Sequence, residues 1–194
     1  MPTYGASQVG AILRYRLAAG DPYRSVAYLR TVAALNGSRQ KEAAAGLAAR
    51  PLPALPVVAA AELRVTSDRF GSRARPVIMG YTEFPATEIG GGWNGELYLQ
   101  GGYVAGKGAT GFVDGQVRLD RQFASIGKAD MRVGGGLWGG AQEGASRLDV
   151  GPTVQVVAPL STEVFARVGL DWRFRIAGHA KPASGPALTV SAGF

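Results

Sequence analysis

From Val164 to Ile176 the chain alternates without interruption. Val164, Ala166, Val168, Leu170, Trp172, Phe174 and Ile176 share one side, and Phe165, Arg167, Gly169, Asp171, Arg173 and Arg175 share the other. A period of two belongs to a β-strand, whose successive side chains point to opposite faces. The run is long: strands of water-soluble proteins have a mode of about 5–6 residues, and a tilted strand crossing a bilayer needs about 9–11.

The same rhythm recurs along the chain. Leu148, Val150, Val154 and Val156 alternate with Arg147, Asp149, Thr153 and Gln155. Val113, Val117 and Leu119 alternate with Asp114, Gln116, Arg118 and Asp120, and Leu97, Leu99 and Tyr103 with Glu96, Tyr98 and Gln100. Val57, Ala59, Ala61, Leu63 and Val65 oppose Glu62, Arg64 and Thr66, and Met131, Val133 and Leu137 oppose Arg132 and Trp138. Near the start, Ala11, Leu13, Tyr15 and Leu17 oppose Arg14 and Arg16. Turn signals such as Gly20-Asp21-Pro22, Asn36-Gly37-Ser38, Gly106-Lys107-Gly108 and Gln142-Glu143-Gly144 separate the runs. About eleven strands joined by short connections make an antiparallel meander. Residues 40–50 are rich in alanine and favour a helix locally, but their place after the Asn36-Gly37 turn reads as another strand.

Composition narrows the alternatives. Twenty-nine glycines in 194 residues argue against a helical bundle, and 46% apolar with 18% charged residues argues against disorder. The chain has no cysteine, so neither a disulfide framework nor a thiolate metal site is available. The net charge of +7 is spread along the chain rather than gathered in runs. With no recognition helix, aromatic RNA-binding signature or basic cluster, nucleic acid is discounted as a partner. No uninterrupted apolar stretch suits a spanning helix. Met1 to Gln8 carries no signal-peptide pattern.

The last eight residues, Ala187 to Phe194, place Leu188, Val190, Ala192 and Phe194 on one side. This ending, together with the long alternating strands, resembles the bacterial outer-membrane β-barrel proteins, whose final aromatic strand is read by the barrel-assembly machinery. The layout is also similar to the barrels that close exopolysaccharide-export proteins and the phage-adsorption protein A family. The resemblance implies a single domain over 1–194: an all-β, antiparallel up-and-down transmembrane barrel of about twelve strands. Such barrels have even strand numbers and periplasmic ends, so one or more strands upstream are expected. It implies the outer membrane as location, membrane lipid and the assembly machinery as partners, no cofactor, and a non-enzymatic role as pore, export channel or surface anchor. The competing expectations are a structural or receptor barrel plugged by salt bridges, and a soluble β-sandwich binding protein.

In the barrel reading the charged face lines a lumen. Its residues are Arg14, Arg16, Arg64, Glu96, Asp114, Arg118, Asp120, Arg132, Arg147, Asp149, Arg167, Asp171, Arg173 and Arg175. Arginine outnumbers carboxylate, which suits an anionic solute or polysaccharide. The plainer expectation is a set of salt bridges bracing the wall, with Arg147/Asp149 and Asp171/Arg173 linking neighbouring strands. The single histidine, His179, lies near Ser184 in a connecting segment, without the surrounding pattern of a hydrolase. Gly134-Gly135-Gly136 and Gly139-Gly140 fall inside a strand pattern, where they permit close packing rather than phosphate binding.

Overall fold

The fold is described from a computed structural model, which covers residues 8–35, 40–68, 71–162 and 164–193. It is a single antiparallel sheet. The strands are β1 (Gln8–Arg16), β2 (Val26–Ala34), β3 (Lys41–Ala49), β4 (Val57–Asp68), β5 (Gly71–Thr82), β6 (Thr87–Gly90), β7 (Trp93–Val104), β8 (Thr110–Ile126), β9 (Ala129–Gln142), β10 (Ala145–Pro159), β11 (Phe165–Gly178) and β12 (Gly185–Gly193). Eleven pair in chain order, β1-β2-β3-β4-β5-β7-β8-β9-β10-β11-β12, and the short β6 pairs with β7 alone. Registers show that β6 continues the line of β5. Tyr81 faces Gln100 and Thr87 faces Gly95 on the same partner strand. The break between them holds Pro85, which has no N–H to give a ladder. Residues 41–49 are a strand, since pairing on both sides outweighs local helix preference.

The sheet is open, and this overturns the closed transmembrane barrel. β1 and β12 stand at its two ends, with no pairing between them among the described residues. Ten successive antiparallel pairings join them, so β1 and β12 run in the same direction. An antiparallel meander with this strand parity cannot close on itself antiparallel. The lumen, the pore or channel role and the outer-membrane location all depended on closure and fall with it. Among the described residues no helix is long and apolar enough to cross a membrane.

Although open, the sheet is strongly curled. The Arg167 guanidinium on β11 donates to Glu96 on β7 at 2.8 Å, although three strands lie between. On a flat sheet, at about 4.8 Å per strand, those positions would be about 19 Å apart. Arg118 on β8 likewise comes within 3.9 Å of Asp171 on β11. Such contacts place the charged side on the concave face. At one end that face also holds a small apolar cluster of Tyr28, Ala48, Val58 and Ala60, with Val26, Met79 and Tyr81 against it.

The convex face is apolar and uncovered. Leu97, Val117, Leu137, Val150 and Phe174 lie in register across five neighbouring strands, as do Val133, Val154, Leu170 and Leu188 across four. Leu13 and Tyr15 are each 71% exposed, whereas Asp171 is 1% exposed. The usual water-soluble arrangement, apolar inside and charge outside, is therefore inverted.

Candidate functional site

The concave face carries its charges in separate clusters. The first is built from β2, β3 and β4. Glu62 sits with its side chain fully buried, and Arg30 and Arg64 approach it at 2.6 and 2.8 Å. Both arginines also contact Glu42. Tyr28 donates its hydroxyl to Glu62 at 2.9 Å. Burial alone would raise the Glu62 carboxyl, but hydrogen bonds from Arg30, Arg64 and Tyr28 outweigh it and hold the group down at about 2. Burial and the neighbouring carboxylate push the Tyr28 phenol well above its ordinary range.

The second cluster spans β7, β8 and β11. Glu96 receives Arg118 and Arg167, and Asp171 receives Arg118 and Arg173. Arg173 also lies over the Trp138 ring, 4.5 Å from its centroid. The third cluster joins Asp120 to Arg132 and to the Gln155 amide. Arg147 pairs with Asp149 and donates to the carbonyls of Pro182 and Ala183, tying the β11–β12 connection to β10.

The remaining candidate lining residues are placed as follows. Asp114 accepts from Gln100, whose carbonyl in turn accepts the Tyr98 hydroxyl. Burial, then the charge of Asp114, raises the Tyr98 phenol to about 12. Arg175 donates to the Ala180 carbonyl. Arg14 reaches across to Tyr81, while Arg14 and Arg16 themselves are exposed on the β1 edge. The pairs Arg147/Asp149 and Asp171/Arg173 do form, but each lies within one strand at a spacing of two. Around Glu96 and Asp171 the links between strands are made instead by Arg118 and Arg167.

Arg30, Glu42 and Tyr28 were not singled out in the sequence. On β2 the concave positions Tyr28, Arg30 and Val32 mix types, so alternation by polarity is blurred there. Gly136 has a plain role: a Cβ there would sit 2.5 Å from the Trp138 indole, so glycine leaves room for the ring on the concave face. Ring and hydroxyl of His179 and Ser184 have different partners, the Gly144 carbonyl and the Arg175 N–H. The Leu188, Val190 and Ala192 side of β12 faces outward with the apolar side of β11, and Phe194 lies outside the described residues. The open edge of β12 removes the basis for reading this strand as a barrel-assembly signal.

Depressions mark the surface among the described residues. A polar cleft of about 570 Å³ at one end of β7–β9 is lined by Glu88, Asn94, Arg121, Gln122, Ser125 and Arg132, among others. An apolar trough of about 450 Å³ crosses β1–β4. Its floor is made by small residues, including Ala11, Ala33 and Ala43, where neighbouring rows carry leucines such as Leu13, Leu29 and Leu63.

No protein-family model, curated protein or solved structure matches this chain. The likeness to outer-membrane barrels, with membrane lipid and the assembly machinery as partners, therefore rests on strand pattern alone and is contradicted by the open sheet. The chain is an all-antiparallel, open twelve-stranded sheet with its charges inside the curl and its apolar residues outside.

Proposed function

We propose that this chain is a non-enzymatic binding scaffold whose apolar convex face is one layer of a β arrangement completed by another protein surface. The observation that carries this reading is the inversion of the faces. Glu62, Glu96, Asp120, Asp149 and Asp171 of the concave face are occupied by arginines of the same face, so that side supports the curl. The convex face carries continuous apolar rows with nothing against them among the described residues. Contiguous apolar patches on monomeric soluble proteins rarely exceed a few hundred Å², and these rows cross five strands. The trough over β1–β4, with leucines beside small residues, has the relief that interdigitating side chains fill.

A single cysteine at Leu170, carrying an environment-sensitive dye, tests the reading in a chain that otherwise has no thiol. Without its partner the face covers itself. At micromolar concentration in water the dye is expected to be shielded from quencher, the mass to exceed one chain, and both to revert on dilution. A monomer with a freely quenched dye at all concentrations overturns the reading. So does a chain whose dye is shielded only in detergent micelles.

A further inference from the structure

We propose that β12 is a homotypic pairing edge: two copies of this chain join by laying β12 antiparallel against β12 about a two-fold axis at Val190. Among the described residues no strand lies against the outer side of β12, and all nine residues from Gly185 to Gly193 are uncharged. Exposed edge strands ordinarily carry charges, bulges or covering segments that block strand addition. β1, at the opposite end, carries the charges of Arg14 and Arg16. β12 has only Pro186, near its first residue.

That proline and the side-chain alternation select the register. Proline offers no N–H to a ladder, so the pairing segment runs from Ala187 to Gly193. Antiparallel pairing about Val190 sets Val190 opposite itself, Leu188 opposite the second copy's Ala192, and Thr189 opposite the second copy's Ser191. Large meets small on the apolar side, and on the other hydroxyl meets hydroxyl, a favourable cross-strand combination. Within the chain, Leu188, Val190 and Ala192 already face Leu170, Val168 and Ala166. The joined sheets therefore keep one continuous apolar side and one polar side. Strand parity points the same way. β1 and β12 run in one direction, so joining them in one chain would give a parallel pair, whereas a two-fold axis makes β12 antiparallel to its copy.

The test uses V190C, with I12C on the other edge as control, in the full chain under mild oxidation. V190C is expected to give a covalent dimer of two 20.1 kDa chains, at a yield at least tenfold above that of I12C. Val190 is 68% exposed, so V190K keeps the strand and sets two ammonium groups face to face. It is expected to abolish this dimer, read by sedimentation, with an unchanged far-ultraviolet spectrum. Equal cross-linking of V190C and I12C overturns the proposal, as does a V190K chain of undiminished mass. The Leu170 dye separates this outcome from the broader reading. If the dye stays shielded while V190C does not cross-link, the edge assignment falls and the covered face stands. A monomer with a freely quenched dye removes both.

Discussion

Replacing Glu62 by glutamine takes the shared anion out of the β2–β4 cluster while preserving side-chain volume. Arg30 and Arg64 then have Glu42 as their only carboxylate in that cluster, and Tyr28 loses a charged acceptor. The Glu62 carboxyl ordinarily titrates at 4.5 and is held at about 2 in the folded chain. At about 1.4 kcal/mol per unit, that difference corresponds to about 3 kcal/mol. Removing one member of a buried ion pair costs roughly the same, about 3–5 kcal/mol. A depressed carboxyl stabilises the fold above its unfolded pKa, and the contribution disappears as pH falls through the folded value. Urea unfolding followed by circular dichroism at fixed protein concentration, repeated from pH 7 to pH 2, reads this directly. E62Q is expected to be about 3 kcal/mol less stable at pH 6–7, with the gap closing between pH 4.5 and 2. A gap that is constant across this range, or below about 1 kcal/mol at neutral pH, would refute the reasoning.

Other substitutions probe separate parts of the curl. Gly136→Ala is expected to cost about 1–3 kcal/mol, because the added methyl meets the Trp138 ring. Adding Trp138→Leu should relieve part of that cost, and additive losses in a double-mutant cycle would argue against the contact. Asp171→Ala, which leaves Arg173 without its carboxylate, should cost about 3 kcal/mol by urea unfolding. Arg167→Ala, whose side chain is 37% exposed although paired with Glu96, should cost less than about 1 kcal/mol. The reverse order for these two would contradict the burial of the two side chains.

Much of the sheet is legible in the alternation. The two faces of β11 can be assigned from its residues alone, and Trp138 falls on the charged side with Arg132, where the structure places it. Residues 40–50 read as a strand despite their alanines because they follow the Asn36-Gly37 turn, and the structure pairs Lys41–Ala49 on both sides. Closure was not legible. A period of two tells which side chains share a face, but not whether the terminal strands meet, nor how far the sheet bends between them. Counting directions along the meander exposes the obstacle, since an odd number of principal strands leaves both ends running the same way. The cross-sheet pairs Arg167–Glu96 and Arg118–Asp171 depend on curvature over four and three strand spacings, which no local pattern encodes. The cluster around Glu62 was hidden because β2 mixes Tyr28, Arg30 and Val32 on one side.

The inverted faces are tested most directly by the thiol reactivity of Val154→Cys and Gln155→Cys, two adjacent positions on β10 in a chain without cysteine. Val154 is 41% exposed on the apolar side, and Gln155 is 2% exposed on the charged side. At nanomolar concentration, where association is lost, the cysteine at position 154 is expected to react with maleimide freely. The cysteine at position 155 is expected to react only as fast as the chain unfolds, at every concentration. The opposite result, a protected 154 and a freely reactive 155 in the dilute monomer, would put the valines in a dry interior and the charges in solvent.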